Sequence, residues 1–278
     1  MYSFPESAKP ANKWTMRNIL TVEQRLKNVP FPDPTGAAGV EQPVDMQFTL
    51  PESIYTEEDA SQVKIAVWDE EQQCWNHSFI GGDLQFKKST RQIKFTTMKF
   101  APMALLQSRC TDYPYKNWWL RCTDNDTALL TLWTKRIELV FEIGPLYLKL
   151  VRNEQPELQH LCDKEFTPGY LLQELSKCGI HLMPRDEDAK LAGIESKDRG
   201  AEERAIIDVA LGVRAFHFRC CKWNQGVSPE NPGVGADNIL VRIRENLEFD
   251  EAYEEDYEPD WMYVQWWNNK VSFMTGCK

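Results

Sequence analysis

The densest chemistry in the sequence lies in "AFHFRCCKWNQ", positions 215–225, where a histidine, two adjacent cysteines, a tryptophan and an asparagine crowd together. Cysteine and histidine this close raise the question of a metal or redox site. The run reads as a β-strand, whose side chains alternate between two faces. Phe216, Phe218 and Cys220 then point one way, and His217, Arg219 and Cys221 the other. Two thiols on opposite faces cannot share one zinc without a break in the strand. A structural zinc site also needs four ligands, usually in spaced pairs, and none of the eight cysteines forms a Cys-x-x-Cys pair. Cys220 therefore reads as a small buried apolar residue.

Other chemistries fail on spacing. "DNDTALLTLWTK" and "DEDAKLAGIESK" begin like calcium loops, but position six is Leu129 or Leu191 where glycine is needed, and position twelve is Lys135 or Lys197 where glutamate is needed. There is no GxSxG and no GxxxxGK, and "GVGADN" precedes a strand where a dinucleotide fingerprint opens a helix. The four histidines are too scattered to nominate a base. The reading is of a chain that is not an enzyme, with no catalytic residue, no metal and no cofactor. The tryptophans are the other candidates. Trp68, Trp75 and Trp133 fall in strand patterns and are expected in the core. In the adjacent pairs Trp118-Trp119 and Trp266-Trp267, one partner of each must face outward or into a second layer. Exposed tryptophans are frequent anchors of protein contacts.

The elements that must position these residues are mostly strands. The 278 residues are 42% apolar and 12% aromatic, ample for a packed core. No apolar run reaches the ~18–20 residues that span a bilayer, and "MYSFPESAKPANKW" lacks the signature of a secretory signal; a soluble intracellular protein is expected. Residues 1–45 read as an extension and linker, with a short helix around residues 21–27 and the Pro- and Gly-rich "VPFPDPTGAAGVEQP". Residues 46–112 show short strands about ten residues apart, including a hairpin with Leu84 and Phe86 facing Ile93 and Phe95, which predicts an antiparallel β-sandwich. Residues 113–244 predict an antiparallel sheet carrying two helices. The first opens at Thr167-Pro168, buries Leu171, Leu172, Leu175 and Cys178, and stops at Gly179. The second runs from Asp198 to about Phe216 and is expected to bury Ile206, Val209, Val213 and Phe216. Residues 245–278 read as an acidic segment followed by a hairpin turning at Asn268-Asn269. The fold class is thus α+β and β-rich.

Charge is local. The net charge is −10, yet residues 245–260 alone hold nine acidic residues and no lysine or arginine. From Lys87 to Arg109 the sign reverses, with six basic residues and no acidic one. Nucleic-acid binding wants a broad positive face, so neither nucleic acid nor membrane is an expected partner.

The order of these signatures resembles a known family. "VPFPDP", "FTLPESI", "VKIAVWDEEQQCW", "IKFTTMKFAPMALLQSR", "DYPYKNWWLR", "FTPGYLLQELSKCGIHLMPRDEDA", "KDRGAEERAIIDVAL" and "FHFRCCKWN" follow one another as in the C-terminal half of the cancer-susceptibility-candidate-one family, over roughly residues 14–244. These are ciliary proteins, also described as an intermediate chain of axonemal inner-arm dynein. Members are longer, with a charged helical region upstream. The resemblance implies a non-catalytic accessory role in cilia and flagella, at the axonemal cytoskeleton, with inner-arm dynein subunits as partners. It also implies that Trp223 and Asn224 pin their strand to the following loop.

Two surfaces are expected to meet partners. The hairpin residues Lys87, Lys88, Arg91 and Lys94 suit an acidic surface such as tubulin. Glu254, Glu255 and Asp256 in the acidic run suit a basic subunit, and Trp266 and Trp267 are candidate anchors. The alternatives are a subunit of the central apparatus or a radial spoke, or a stand-alone module that binds a peptide or small ligand in a pocket near residues 110–120.

Overall fold

The computed structural model describes residues 43–56, 63–194, 196–225, 235–246, 261–267 and 270–274, with the backbone of four two-residue strands before residue 43. The helix expected around residues 21–27 (Lys27 apart), most of the Pro/Gly-rich linker and the acidic residues 248–260 lie outside them. The chain divides into two units, one of residues 1–50 and 57–107 and one of residues 51–56 and 108–278.

The first unit is built from alternation. Strands β1 (Val44–Thr49), β5 (Gln92–Thr97) and β4 (Ile80–Lys87) form one antiparallel sheet in that order. Strands β6 (Met103–Leu106), β2 (Lys64–Asp69) and β3 (Cys74–Asn76) form another. The inward residues of both sheets, among them Phe48, Ile65, Leu84, Phe86, Ile93, Phe95 and Leu105, make one core, as a β-sandwich requires. The hairpin pairs Phe86 with Ile93. Trp75 departs from expectation: it is 42% exposed and packs edge-on against Trp68, because β3 is an edge strand with one open face.

The second unit is a nine-stranded antiparallel sheet. Its strands are β7 (Asn117–Asp124), β8 (Thr127–Trp133), β9 (Glu138–Ile143), β10 (Leu148–Asn153), β11 (Glu165–Phe166), β12 (Phe216–Cys220), β13 (Asn238–Glu245), β14 (Met262–Trp267) and β15 (Lys270–Met274). The spatial order is β11-β10-β9-β8-β7-β12-β13-β14-β15. The terminal hairpin therefore closes one end of this sheet, whereas the sequence placed it in a separate segment. Hydrogen bonding of β14 to β13 decides this, and local spacing does not report it.

Two helices cover one face. Helix α1 (Pro168–Lys177) buries Leu171 and Leu175 against Leu139, Phe141 and Leu150. It ends as predicted, with Gly179 at a φ of 88°, which glycine adopts without strain. Helix α3 (Arg199–Gly212) is capped by Asp198, whose carboxylate accepts from the Ala201 amide at 2.9 Å. Its buried line is Ala201 and Ala205, with Val209 and Val213 alongside; Ile206 is 66% exposed. The bulky side chains here come from the sheet. Phe218 and Trp266 need small residues opposite them, and a Cβ on Gly212 would lie 3.2 Å from the Phe218 ring. A short helix α2 (Asp186–Leu191) interrupts what reads in sequence as a polar connection. The Asp188 carboxylate accepts from the Arg185 amide at 2.7 Å and meets Arg109 at 3.2 Å.

Residues 51–56 join the second unit through Tyr55, whose amide donates to the Cys178 carbonyl at 2.8 Å and whose ring lies under Arg136 at 5.0 Å.

The stretch 215–225 is a strand that ends in a turn. Phe216 and Phe218 enter the core beneath α3. Asn224 then mimics a strand backbone, its Oδ1 accepting from the Leu240 amide at 2.8 Å and its Nδ2 donating to the Leu240 carbonyl. Because Leu240 is buried, Asn224→Ala strands both of its backbone groups, and an expected loss of about 1–3 kcal/mol follows. Urea melts check this; a midpoint within error of the parent would show that the pinning is dispensable.

Candidate partner-binding surfaces

The basic hairpin of the first unit presents fewer free charges than its sequence advertises. Lys99 pairs with Asp69 at 3.6 Å and lies over Phe79, and Arg109, in the second unit, is held by Asp188. Arg91 sits at a φ of 52° in the turn, and its Nε reaches the Leu50 carbonyl at 3.5 Å. Lys87, Lys88 and Lys94 are exposed. Lys87 and Lys94 share the outer sheet face, since strand alternation puts Phe86 and Ile93 inside. Lys94 also lines a shallow groove of about 450 Å³ with Gln47, Gln85 and Thr96, where β4 bulges after Gly81.

In the terminal hairpin the two tryptophans part. Trp266 is 3% exposed, belongs to the core beneath α3 and donates its Nε1 to Asp208 at 2.8 Å. It is therefore a packing residue and not a partner contact: its parity on β14 matches that of Val264. Trp267, on the opposite parity, is half exposed and donates to Asp237 at 3.0 Å. Glu254, Glu255 and Asp256 lie outside the described residues. Ile206, Ile207 and Leu211 of α3 make an exposed apolar stripe that sequence reading assigned partly to the core.

A cavity of about 430 Å³ opens in the second unit, within the size range of ligand pockets. One wall is aromatic, from Tyr113, Tyr115 and Trp118. Another is charged, from Arg185, Asp186, Lys197 and Glu202, and the floor includes Cys220, Cys221 and Asn224. Tyr115 is fixed by a 2.7 Å bond from its hydroxyl to the Leu182 carbonyl, and burial pushes its phenol up. Partial burial and the neighbouring Asp186 raise the Glu202 carboxyl. Cys220 donates to the Asn117 side chain at 2.8 Å. Elsewhere burial raises the Cys162 and Cys178 thiols, which keeps them protonated and unreactive. Among the described residues no group of three or more His, Cys, Asp or Glu side chains converges as metal ligands would. The arrangement suits the grip of a short peptide segment, with flat rings for apolar groups and both signs of charge at the rim.

No family model matches the chain. Curated relatives do. Dynein axonemal intermediate chain 7 of Bos taurus is 26% identical over 264 residues, spanning 92% of this chain and 35% of the relative. This chain is similar to dynein axonemal intermediate chain 7. The Homo sapiens protein of that name is 25% identical over 264 residues (92% and 34%) and the Danio rerio protein 25% over 241 residues (81% and 32%). The resemblance read from the ordered signatures thus stands. The chain spans about a third of the length of the intermediate chain 7 relatives it matches.

Proposed function

We propose that this chain is a non-catalytic accessory subunit of an axonemal dynein assembly in cilia and flagella, and in particular of the inner arm on doublet microtubules. The observation that carries this is similarity to dynein axonemal intermediate chain 7 along 92% of the chain. A layered β-rich frame with outward-facing lysines and an exposed apolar helix stripe supports a role in holding neighbours in place. The test is an epitope-tagged chain in ciliated cells, followed through salt extraction of axonemes. It is expected to co-fractionate with inner-arm dynein heavy chains and to be lost from axonemes that lack them. Persistence in such axonemes would move it to the central apparatus or a radial spoke. Absence from axonemes would overturn the axonemal reading altogether.

The lysine face is the proposed contact with an acidic surface, tubulin included. Lys87→Glu, Lys88→Glu and Lys94→Glu together are expected to weaken co-sedimentation with salt-extracted axonemes by about tenfold at low salt, and by less as salt screens the surface. Arg91 is left intact because it supports the Leu50 carbonyl. Unchanged co-sedimentation would remove this contact.

The aromatic cavity favours a second reading, a peptide-recognition module. It requires a monomer that acts away from cilia, so expression confined to ciliated cells argues against it.

A further inference from the structure

The cavity of the second unit carries more hydrogen-bond donors than its own residues use. Tyr113 and Tyr115 meet edge to face, with ring centroids 5.7 Å apart, and Trp118 lines the same wall. All three are half-buried. Several polar neighbours are engaged already: the Tyr115 hydroxyl with Leu182, the Asn224 amide with Leu240, and the Cys220 thiol with Asn117. Among the described residues, the Tyr113 hydroxyl and the Trp118 indole N–H make no hydrogen bond. Ser196 is on the same lining, and among the described residues its Oγ is buried without a partner. Buried polar groups are nearly always paired, so this lining has bonds left to make. Each of these groups can donate.

Charge and shape narrow what fits. Arg185 and Lys197 offset Asp186 and Glu202 on the charged wall, so the lining sums to zero and complements a neutral ligand. A single helical turn, 5.4 Å long and 10–12 Å across, takes roughly 400–600 Å³. The cavity of about 430 Å³ therefore admits no more than one turn of a helix. Strand addition needs a sheet edge. The edges of this sheet are β11 and β15, and neither contributes to the lining. The remaining mode of peptide recognition is a polyproline II segment laid on aromatic faces.

We propose that this cavity binds a proline-rich segment of a partner protein in the polyproline II conformation. The proposal rests on reading the cavity as a peptide site, and it names the class of peptide. A polyproline II segment makes no internal hydrogen bonds, so its carbonyls stay available to outside donors. Proline carries no backbone N–H, so such a segment offers acceptors and asks for few in return. The Trp118 indole N–H and the Tyr113 hydroxyl supply the donors, and the rings beside them supply flat apolar faces for the pyrrolidines. The segment is already ordered before it binds, so it loses little entropy in the cavity.

The experiment is fluorescence anisotropy of the full chain with labelled, end-capped decaproline and, separately, with a pool of neutral decamers that lack proline. Saturable binding of decaproline alone is expected, changing less than about twofold as salt rises from about 50 to about 200 mM. Tyr113→Phe with Trp118→Phe keeps aromatic rings and removes both donors. It is expected to weaken binding about tenfold with an unchanged circular dichroism spectrum. Ile194→Trp, which fills the cavity from the segment after α2, serves if that pair does not fold. Trp75→Ala and Trp267→Ala are expected to leave binding unchanged, which excludes the exposed tryptophans as the site. Equal binding by the cavity variants overturns the proposal, and so does a steep loss with salt, because the charged wall would then be the reader. If the proline-free pool binds as well and the cavity variants weaken both, the proline class is wrong and the peptide site stands. If neither binds, the two fall together.

Discussion

Asp112→Ala is expected to destabilise the second unit by about 3–5 kcal/mol, enough to lower its melting temperature by roughly 6–20 °C. Asp112 is fully buried. Its carboxylate accepts both prongs of the Arg136 fork, from Nε at 2.8 Å and Nη2 at 2.7 Å, and the His181 amide at 3.0 Å. Arg136 also donates to the Gly179 carbonyl at 2.8 Å and lies over Tyr55. One pair thus ties together the segment before β7, the β8–β9 turn, the exit of α1 and residues 51–56. Removing the carboxylate leaves a guanidinium that is 7% exposed without its counter-charge. Removing both partners, as in Asp112→Leu with Arg136→Met, is expected to cost less than Asp112→Ala alone, because no buried charge is left behind. Urea and thermal melts of the single and double variants decide this. A single variant within about 1 kcal/mol of the parent would show that the pair holds nothing together.

Acid is expected to weaken the same unit through His217. The imidazole pKa is lowered to about 4 by burial first, then by Arg244 and Arg121, with Asn246 opposing. The unfolded chain takes up this proton near pH 6.5. Between those values the unfolded state binds more protons, so stability rises with pH across the window. The contribution is complete above about pH 6.5, is lost as pH falls toward 4, and changes no further below that. The displacement corresponds to roughly 3 kcal/mol. Carboxylates titrate in the same range, so the measurement is the difference between the parent and His217→Gln in urea melts at several pH values. The two curves should converge as pH falls from 6.5 to 4. Parallel curves would mean that neither burial nor the neighbouring arginines lower the His217 pKa in the folded chain.

Much of the frame was legible from short-range pattern. Ile137, Leu139 and Phe141 alternate, and they do line the core beneath α1. Thr167-Pro168 and Gly179 bracket α1 as start and stop. The Phe86–Ile93 hairpin and the pairing of Trp267 with Lys270 across the last turn follow from turn residues between alternating runs. Helix α3 shows where pattern misleads. Its bulky Ile206 attracts a core assignment, yet the sheet supplies the bulk and the helix supplies Ala201 and Ala205. The adjacent tryptophans 266 and 267 differ by one step of parity, and only the partner strand says which of them is inside.

From residues alone came the β-rich class, the strand nature of 216–220, the positions of α1 and α3 and the family likeness, because each depends on neighbours within a turn or two of chain. The tertiary structure alone decided which strands share a sheet, that residues 51–56 belong with the second unit, and that Asp112 meets Arg136 across 24 positions. It also decided that arginines from β7, β12 and β13 stand in one ladder. Those facts depend on pairing between segments far apart in the chain. Alternation tells a side chain which face it takes, but not what will lie beside it.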